Sequence, residues 1–463
     1  MKKIYILLIT LLVLFGTSCE DFVDGYDDSP NSPTNVTPGV LLTAAEAATI
    51  FAYTSQSARA SSIFVQQSAG VTDQSKDDYQ LYGMTENTVG NEWNGLYTDL
   101  LETADFLEAT YAEENPYYGG MAKMLKALGI GMVTDFWGNV PFSEAFDGRD
   151  GVTAPAADTQ ESIIAAIQQL CTDAIADFQM DASANAFTPL EDDVIHGGDV
   201  DMWTIGAWIL KARYANRLSN RDAAGSATDA LSYLDQAYAA GLDGNADNTL
   251  APTGNASTDL NQWQAFQNNR GYMRAGATLV DMMIAQNDPR LPYYFADLGG
   301  GTFVGSDINE DNPAASNFGT WVMADAQAFP LLTYFEAKFI EAEAALRSND
   351  DPRAATAFNA AVIASVEFFT GSAPDATFIA NVASETAATI TLETIMTQKY
   401  IAMFTQPEVW SDYRRTGYPV LTSDPRGAIN QIPERYPTTL NERLYNPNIT
   451  SITDLTVPVW WAE

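Results

Sequence analysis

Two of the side chains that most often do chemistry in proteins are scarce in this sequence. His196 is the single histidine, and Cys19 and Cys171 are the two cysteines. A Ser-His-Asp triad, a multi-histidine metal centre and a cysteine zinc site each need more of these residues than the chain contains. The Gly-rich phosphate loop, the GxSxG elbow and the HExxH motif are also absent from the sequence. Any catalysis would therefore rest on carboxylates, tyrosine or lysine.

The sequence around the remaining histidine and cysteine is typical of structural residues. His196 directly precedes Gly197-Gly198-Asp199, a turn sequence in which an exposed or hydrogen-bonded histidine is expected. Cys171 continues the helical spacing of Ile167 and Ile175, which predicts a small buried residue on the apolar face of a helix. We therefore predict neither a histidine ligand nor a reactive thiol.

Two acidic segments have part of the spacing of a calcium loop. Asp243-x-Asn245-x-Asp247 and Asp307-x-Asn309-x-Asp311 place oxygen ligands at positions 1, 3 and 5. Neither segment has the glycine of position 6, and position 12, which is glutamate in such loops, is Gly254 in one and Phe318 in the other. We predict solvated turns, with no metal and no cofactor.

Aromatic residues in polar segments are better candidates for a functional role. Binding a sugar requires flat apolar faces for the pyranose ring, with carboxylates, amides and arginine for its hydroxyls. Tyr79 lies in the polar segment 77–82, Trp263 lies among amides in 261–270, and Trp321 closes a Gly/Asn-rich loop. We predict that these three residues bind a ligand.

The segments that must position these residues are mainly helical. Apolar residues at helical spacing predict helices over 41–67, 93–111, 119–135, 159–178, 201–218, 227–240, 272–285, 327–347, 352–369 and 392–404. Long Gly/Asn/Asp-rich segments separate some of them, chiefly 241–259 and 298–320, and residues 416–463 are expected to be coil. Small residues alternate with bulky ones in 335–347, as in tetratricopeptide-type helical hairpins. The predicted fold is mainly α, with tetratricopeptide-like hairpins and a large irregular, loop-rich portion.

The N-terminus predicts export. Residues 1–3 are basic in part, 4–15 are apolar, and Cys19 follows the small residues Gly16-Thr17-Ser18. This arrangement indicates a signal peptide over 1–18, because its apolar run is shorter than the ~20 residues of a membrane span. It resembles a bacterial lipoprotein signal, in which Cys19 is lipidated; ordinary cleavage near Ser18 is the alternative. Residues 19–38 then form a flexible tether, and 39–463 a single domain.

The charge balance excludes one class of partner. Acidic residues outnumber basic ones 60 to 23, giving a net charge of −37. Such a charge repels phosphate backbones, so we predict no nucleic-acid binding. Because 46% of the residues are hydrophobic and only 18% are charged, the acidity belongs to a folded chain with a large core and not to a disordered one.

Short segments from residue 19 to about 446 carry a resemblance to a known family. They are 19–24 (CEDFVD), 134–146 (TDFWGNVPFSEAF), 198–203 with 210–213, 287–291 (NDPRL), 336–347, 398–401 with 410–419 (WSDYRRTGYP), and 432–437 (IPERYP). In this order they resemble the SusD/RagB family of nutrient-binding outer-membrane lipoproteins of Bacteroidetes, and most of all its SusD-like subgroup without an assigned ligand. The resemblance covers nearly the whole mature chain.

The resemblance implies a mostly helical fold with four tetratricopeptide-like hairpins and a loop-rich ligand face. It implies a lipoprotein on the outer membrane that faces the cell exterior. It also implies a non-enzymatic protein that captures oligosaccharides, or peptides in some members, and delivers them to a TonB-dependent outer-membrane barrel. Within the matching segments, Trp137, Trp410, Arg414 and Arg415 are predicted to be structural, with the two arginines binding carboxylates.

Two other classes of function stay open. A glycoside hydrolase that depends on carboxylates could work without histidine, although no carboxylate has a recognisable catalytic context in the sequence. A structural scaffold could use helical hairpins to bind another protein. Retention of polysaccharide without new reducing ends would separate the binding protein from both.

Overall fold

A computed structural model describes residues 36–244, 248–250 and 260–463 of the chain. The predicted signal peptide, Cys19, nearly all of the tether and most of the first calcium-like segment lie outside these residues. The described part is mainly helical, as the sequence predicts, and its buried apolar side chains form one core that runs from Leu42 to Trp461. No helix among the described residues is long and apolar enough to cross a membrane.

The helices vary in length from one turn to six. They are α1 Pro38–Thr54, α2 Gln56–Phe64, α3 Gly90–Asn94, α4 Glu102–Tyr111, α5 Pro116–Trp137, α6 Gln160–Phe178, α7 Val200–Arg217, α8 Ala223–Ala239, α9 Gln262–Asn269, α10 Ala277–Ala285, α11 Leu291–Tyr294, α12 Tyr334–Arg347, α13 Asp351–Thr370, α14 Ala376–Val382, α15 Leu392–Ala402, α16 Glu408–Thr416 and α17 Leu440–Tyr445. π-Helical turns cover Ser75–Gln80 and Gly95–Leu101.

The strands are short and form separate antiparallel pairs. They are β1 Ser68–Gly70, β2 Val140–Pro141, β3 Ala157–Asp158, β4 Asn248–Leu250, β5 Met273–Ala275 and β6 Phe329–Leu332. β1 pairs with β5, β2 with β3, and β4 with β6. The β1–β5 and β4–β6 pairs join segments that are distant in the sequence, so these strands fasten loops to the helical framework.

Several helices begin at caps that the sequence indicates. Pro38 occupies the first turn of α1, directly after Thr37 in an extended conformation. The Thr159 side chain accepts a hydrogen bond from the Ser162 backbone N–H at the start of α6. These caps place the helix starts within a few residues of the predicted ones.

Consecutive helices pack on one another as hairpins. α4 packs on α5, α5 on α6, α7 on α8, and α12 on α13. Only three residues separate α12 from α13, and small side chains on α12 such as Ala337, Ala342 and Ala344 are completely buried. Short connections and small residues at the contact let the helix axes approach closely.

The helical interior contains paired charges. The Nε and Nη2 atoms of Arg213 donate to the two carboxylate oxygens of Glu336 at 2.7 and 2.6 Å. Arg415 donates to both oxygens of Glu343 and, at 3.0 Å, to Asp412. The prediction that Arg415 binds carboxylates is therefore confirmed.

The neighbouring Arg414 behaves differently from that prediction. Its guanidinium carbon lies 3.8 Å from the centroid of the Trp410 ring, and its Nη1 donates to the backbone carbonyls of Asp135 and Glu434 at 2.8 and 2.9 Å. No carboxylate forms an ion pair with Arg414 among the described residues. Backbone carbonyls and an aromatic face take the place of the predicted acidic partner.

The sequence prediction was wrong at the start of two helices. The predicted helices 272–285 and 327–347 begin instead with strands β5 and β6, and their helical parts start at Ala277 and Tyr334. Both strands pair with residues far away in the sequence, and such a contact overrides the local helical pattern.

Candidate functional site

The structure buries all three aromatic residues that the sequence assigns to a ligand site. Tyr79, Trp263 and Trp321 are 3%, 1% and 7% exposed. All three rings are therefore enclosed, and none of them offers a free ring face at the surface. Their assignment to ligand binding stays a prediction that only a binding measurement tests.

Trp263 and Trp321 belong to one sealed aromatic cluster. The Trp263 ring meets Phe404, which lies 4.8 Å from Tyr294 between ring centroids. Tyr294 in turn contacts Phe369, and the Phe369 ring lies 4.7 Å from Trp321. Sequence reasoning missed this because Trp263 lies in an amide-rich segment that forms α9, where the Asn261 side chain accepts hydrogen bonds from the Trp263 and Gln264 N–H groups.

Tyr79 belongs to a second aromatic cluster. It lies on the π-helical turn Ser75–Gln80, and its ring packs edge-on against Phe64 at 6.0 Å. The cluster continues through Trp410 and Tyr436 to Trp137, and Trp137 packs edge-on against Trp93 at 5.3 Å. Trp93 is buried as well. This second cluster ends at a cavity.

The cavity has a volume of about 560 Å³, which is in the range of small-molecule sites. Trp93 and the segments 137–140, 157–161, 435–438 and 448–463 contribute its wall. It therefore lies where the end of α5, the start of α6 and the C-terminal coil meet. The sequence analysis placed no functional residue in these segments.

The end of α5 forms one side of the cavity. α5 stops at Trp137, and Gly138 follows with a φ of +83°, a conformation that favours glycine. The chain then enters β2, which pairs with β3 and returns the backbone to Gln160 at the start of α6. The Gln160 backbone N–H donates to Asn139 Oδ1 at 2.9 Å, which fixes the two sides of this turn.

The C-terminal coil forms the other side. The Tyr436 N–H donates to the Phe136 carbonyl at 2.8 Å, and the Trp137 indole N–H donates to the Pro437 carbonyl at 2.9 Å. Further along, the Thr438 N–H donates to the Ile452 carbonyl at 2.8 Å. The first two bonds tie the coil to α5 over a sequence separation of about 300 residues, and the third fixes the coil itself, so only the folded chain has the cavity.

The wall combines rings, amides and charges. Trp460 is half-buried, and the Arg221 guanidinium carbon lies 4.6 Å from its ring centroid. Asn139, Asn448 and Glu161 line the cavity and are exposed. An aromatic ring beside amide, carboxylate and arginine groups is the set that sugar recognition requires.

Arg435 is the cation of the cavity wall. It is 6% exposed, its Nη2 donates to the Trp137 carbonyl, and its Nε lies 3.4 Å from the Tyr436 carbonyl. Burial lowers the pKa of its guanidinium to about 10. The sequence signal for this residue was the segment 432–437, which the resemblance to the family singled out without assigning it to a ligand.

Three other candidates of the sequence analysis have structural surroundings. Asp311 forms ion pairs with Lys76 at 2.7 Å and Arg426 at 3.1 Å, so cationic side chains hold the carboxylate of the second calcium-like segment. His196 packs edge-on against Trp203. Cys171 is fully buried, as predicted, and burial raises the pKa of its thiol to about 12.

Comparison with known proteins gives a consistent result. A SusD-like family model, described as "Starch-binding associating with outer membrane", matches residues 30–437. No curated protein sequence matches the chain. A SusD/RagB family protein from Bacteroides thetaiotaomicron is 22% identical, with 92% of this chain and 99% of that chain covered and a TM-score of 0.75. A chitin-binding SusD homolog from Flavobacterium johnsoniae is 21% identical, with 91% and 98% covered and a TM-score of 0.79.

Proposed function

The chain belongs to the SusD-like family, and from that premise we propose that it binds oligosaccharides at the cell surface, in the cavity between α5 and the C-terminal coil. The observation that carries this proposal is the composition of the cavity wall, where the half-buried Trp460 lies among amides, a carboxylate and Arg435. The family description names starch binding, and a similar structure is a chitin-binding protein. Both support a glycan as the ligand class.

We propose that the protein binds its ligand without altering it. Its place would be on the outer membrane, anchored through a lipid on Cys19 and facing the cell exterior, and it would deliver the ligand to a TonB-dependent barrel. A peptide ligand is the alternative within the same system, and hydrolysis by carboxylates is a weaker one. Support comes from the N-terminal sequence and from the outer-membrane association in the family description.

The binding proposal is tested by incubating the purified protein with a panel of polysaccharides and measuring both retention and new reducing ends. Retention alone is expected. New reducing ends would support the hydrolase, and binding only to peptides would support the peptide alternative. Absence of any glycan retention would contradict the proposal.

The position of the site is tested with Trp460→Ala. We expect the affinity for a retained glycan to fall by ~1–3 kcal/mol, the scale of losing one aromatic contact at a binding site. Trp208→Ala is the matched control, because Trp208 is also half-buried but stacks on Tyr233, away from the residues that line the cavity. An equal loss of affinity in both variants would contradict a site at Trp460.

The anchor is tested with Cys19→Ala. Since several acyl chains hold a protein on a membrane firmly, whereas a protein without them has no anchor, we expect the variant to move from the outer-membrane fraction to the soluble fraction with its circular dichroism unchanged. A variant that stays on the membrane after a carbonate wash would contradict the lipid anchor. Co-purification of the wild-type protein with a TonB-dependent barrel from detergent-solubilised outer membranes tests the partner.

A further inference from the structure

Four of the seven buried arginines among the described residues have an acidic partner. Arg213, Arg217, Arg290 and Arg415 are each at most 5% exposed, and each forms an ion pair with a buried carboxylate. Such pairing is expected, because an uncompensated charge is costly to bury. It is also easy to achieve in a chain with 60 acidic and 23 basic residues.

Arg435 is an exception that faces a cavity. Its two hydrogen bonds go to backbone carbonyls, those of Trp137 and Tyr436, and its Nη1 has no hydrogen-bond partner in the described part of the chain. No carboxylate of the described residues lies within ion-pair distance of its guanidinium, and no aromatic ring lies beneath it as a cation–π partner. Gly138, also on the cavity wall, leaves room beside the Arg435 guanidinium, because a Cβ on residue 138 would lie 3.4 Å from Arg435 Nη2.

The other buried arginines without an ion pair each have an aromatic ring as a partner. Arg414 lies over the Trp410 ring and donates to several carbonyls, and the guanidinium carbon of Arg59 lies 4.1 Å from the centroid of the Phe266 ring. Neither residue lines the cavity. Arg435 therefore combines an unpaired charge, free donors and access to a ligand.

We propose that Arg435 binds the carboxylate of an acidic sugar, so that the preferred ligand is a glycan that contains uronic acid. The inference rests on the proposed glycan-binding function and names its substrate class. A guanidinium with free donors matches the planar carboxylate in charge and geometry, and this pair is stronger than a hydrogen bond from arginine to a neutral hydroxyl.

The carboxylates on the cavity wall restrict where the ligand's charge can bind. Glu161 and Glu463 line the cavity and are exposed, so water and salt weaken their repulsion. Among the residues that line the cavity, Arg435 is the one with a positive charge, so a ligand carboxylate meets an opposite charge there. Neutral hydroxyls of the same glycan would face the two glutamates, which accept hydrogen bonds.

The test compares how tightly the wild-type protein binds two forms of one ligand. Calorimetry measures binding of uronic-acid oligosaccharides and of the same oligosaccharides after their carboxyl groups are reduced to alcohols. We expect the acidic form to bind about tenfold more tightly or better, as a charge-assisted bond replaces a neutral one. Equal or weaker binding of the acidic form would overturn the inference while leaving the glycan-binding function in place. If neither form nor any neutral glycan binds, the proposed function fails as well.

Two variants then assign the preference to one side chain. Arg435→Met is expected to bind the two forms equally, and Arg435→Lys to keep part of the preference because it retains the charge. Arg443→Met is the control, since Arg443 is an exposed arginine that pairs with Glu86 outside the cavity. A preference that survives in a folded Arg435→Met would overturn the inference. If that variant does not fold, Arg435→Lys and the two ligand forms still decide the question. Binding of acidic peptides but not acidic glycans would overturn it in favour of the peptide ligand.

Discussion

The sealed interior of the helical hairpins and the wall of the cavity contain the same kinds of side chain in different surroundings. Arg213 on α7 and Arg435 in the C-terminal coil are 4% and 6% exposed, so burial hardly distinguishes them. Their partners do. Glu336 binds Arg213 through both carboxylate oxygens and raises the pKa of its guanidinium, whereas burial without an acidic partner lowers the pKa of Arg435.

The tryptophans show the same contrast. Trp263 is enclosed by the rings of Phe318 and Phe404, at 5.3 and 5.9 Å between centroids. Trp460 is half-buried on the cavity wall, with Arg221 near its ring. An arginine or tryptophan whose ion-pair or packing partners all come from its own chain supports the fold. One that lacks some of these partners and lines the cavity is available to a ligand.

The largest effect is expected at the sealed aromatic cluster. Trp263→Ala should lower the free energy of unfolding by ~3–5 kcal/mol, because removing a buried tryptophan leaves a cavity among rings that cannot collapse. Urea denaturation measures this loss, and Trp460→Ala at the cavity is the control with a smaller expected loss. A change of less than about 1 kcal/mol in Trp263→Ala would show that this cluster is not sealed in solution.

The second-largest loss of stability is expected at the buried ion pair between Arg213 and Glu336. Glu336→Gln leaves the Arg213 charge without its counter-charge and should lower the free energy of unfolding by about 3 kcal/mol, the lower end of the range for breaking such a pair, since glutamine keeps one acceptor. The measurement is again urea denaturation. The matched control is Glu393→Gln, at an exposed position in the first turn of α15. Equal stability of the two variants would contradict the importance of the pair.

Glu92 beside the second aromatic cluster should make stability depend on pH. Neither carboxylate oxygen has a hydrogen-bond partner in another described residue. Burial raises the pKa to about 8, and the residue's own backbone N–H and Arg59 oppose the shift. Because the folded pKa lies above the unfolded value of 4.5, the stabilising contribution of the protonated acid is complete below pH 4.5. It is lost as the pH rises through about 8.

Glu92→Gln tests this dependence, because glutamine resembles the protonated acid. The variant and the wild type should be about equally stable at pH 4, and the variant should be more stable by roughly 2–4 kcal/mol at pH 9. Thermal unfolding across this pH range provides the measurement. Glu102→Gln, at an exposed position on α4, is the control, and its stability should depend on pH in the same way as that of the wild type. A constant difference between Glu92→Gln and the wild type at all pH values would show that Glu92 does not hold a proton.

The smallest effect on stability is expected at Arg435. Arg435→Met removes a buried charge that has no acidic partner, so the lost hydrogen bonds to two carbonyls are offset by the lost cost of burying the charge. The free energy of unfolding should stay within about 1 kcal/mol of the wild type. A loss as large as that of Glu336→Gln would place Arg435 among the structural arginines and remove the contrast between the two regions.

Much of the fold could be predicted from the sequence. The positions of α5, α6, α7, α13 and α15 follow from apolar spacing and cap residues, which are local properties of the chain. The burial of Cys171 follows from the same apolar spacing, and the ion pairs of Arg415 follow from an arginine beside an aromatic residue in a very acidic chain. The strands β5 and β6 could not be, because each is stabilised by a partner strand far away in the sequence.

The candidate site was decided by the tertiary structure. The periodicity of apolar residues determined the mainly helical class, and the scarcity of histidine and cysteine excluded the catalytic and metal sites that need several of them. Both are local properties of the sequence, so neither depends on the folded chain. Whether a tryptophan is enclosed, as Trp263 is, or half-exposed, as Trp460 is, depends on residues brought in from elsewhere. Likewise, Arg435 and Arg415 both lie in family-like segments beside aromatic residues. Folding brings Glu343 to Arg415, whereas none of the described residues brings a carboxylate to Arg435. Partners at long sequence separation determine what a buried side chain can do, and only the folded chain specifies them.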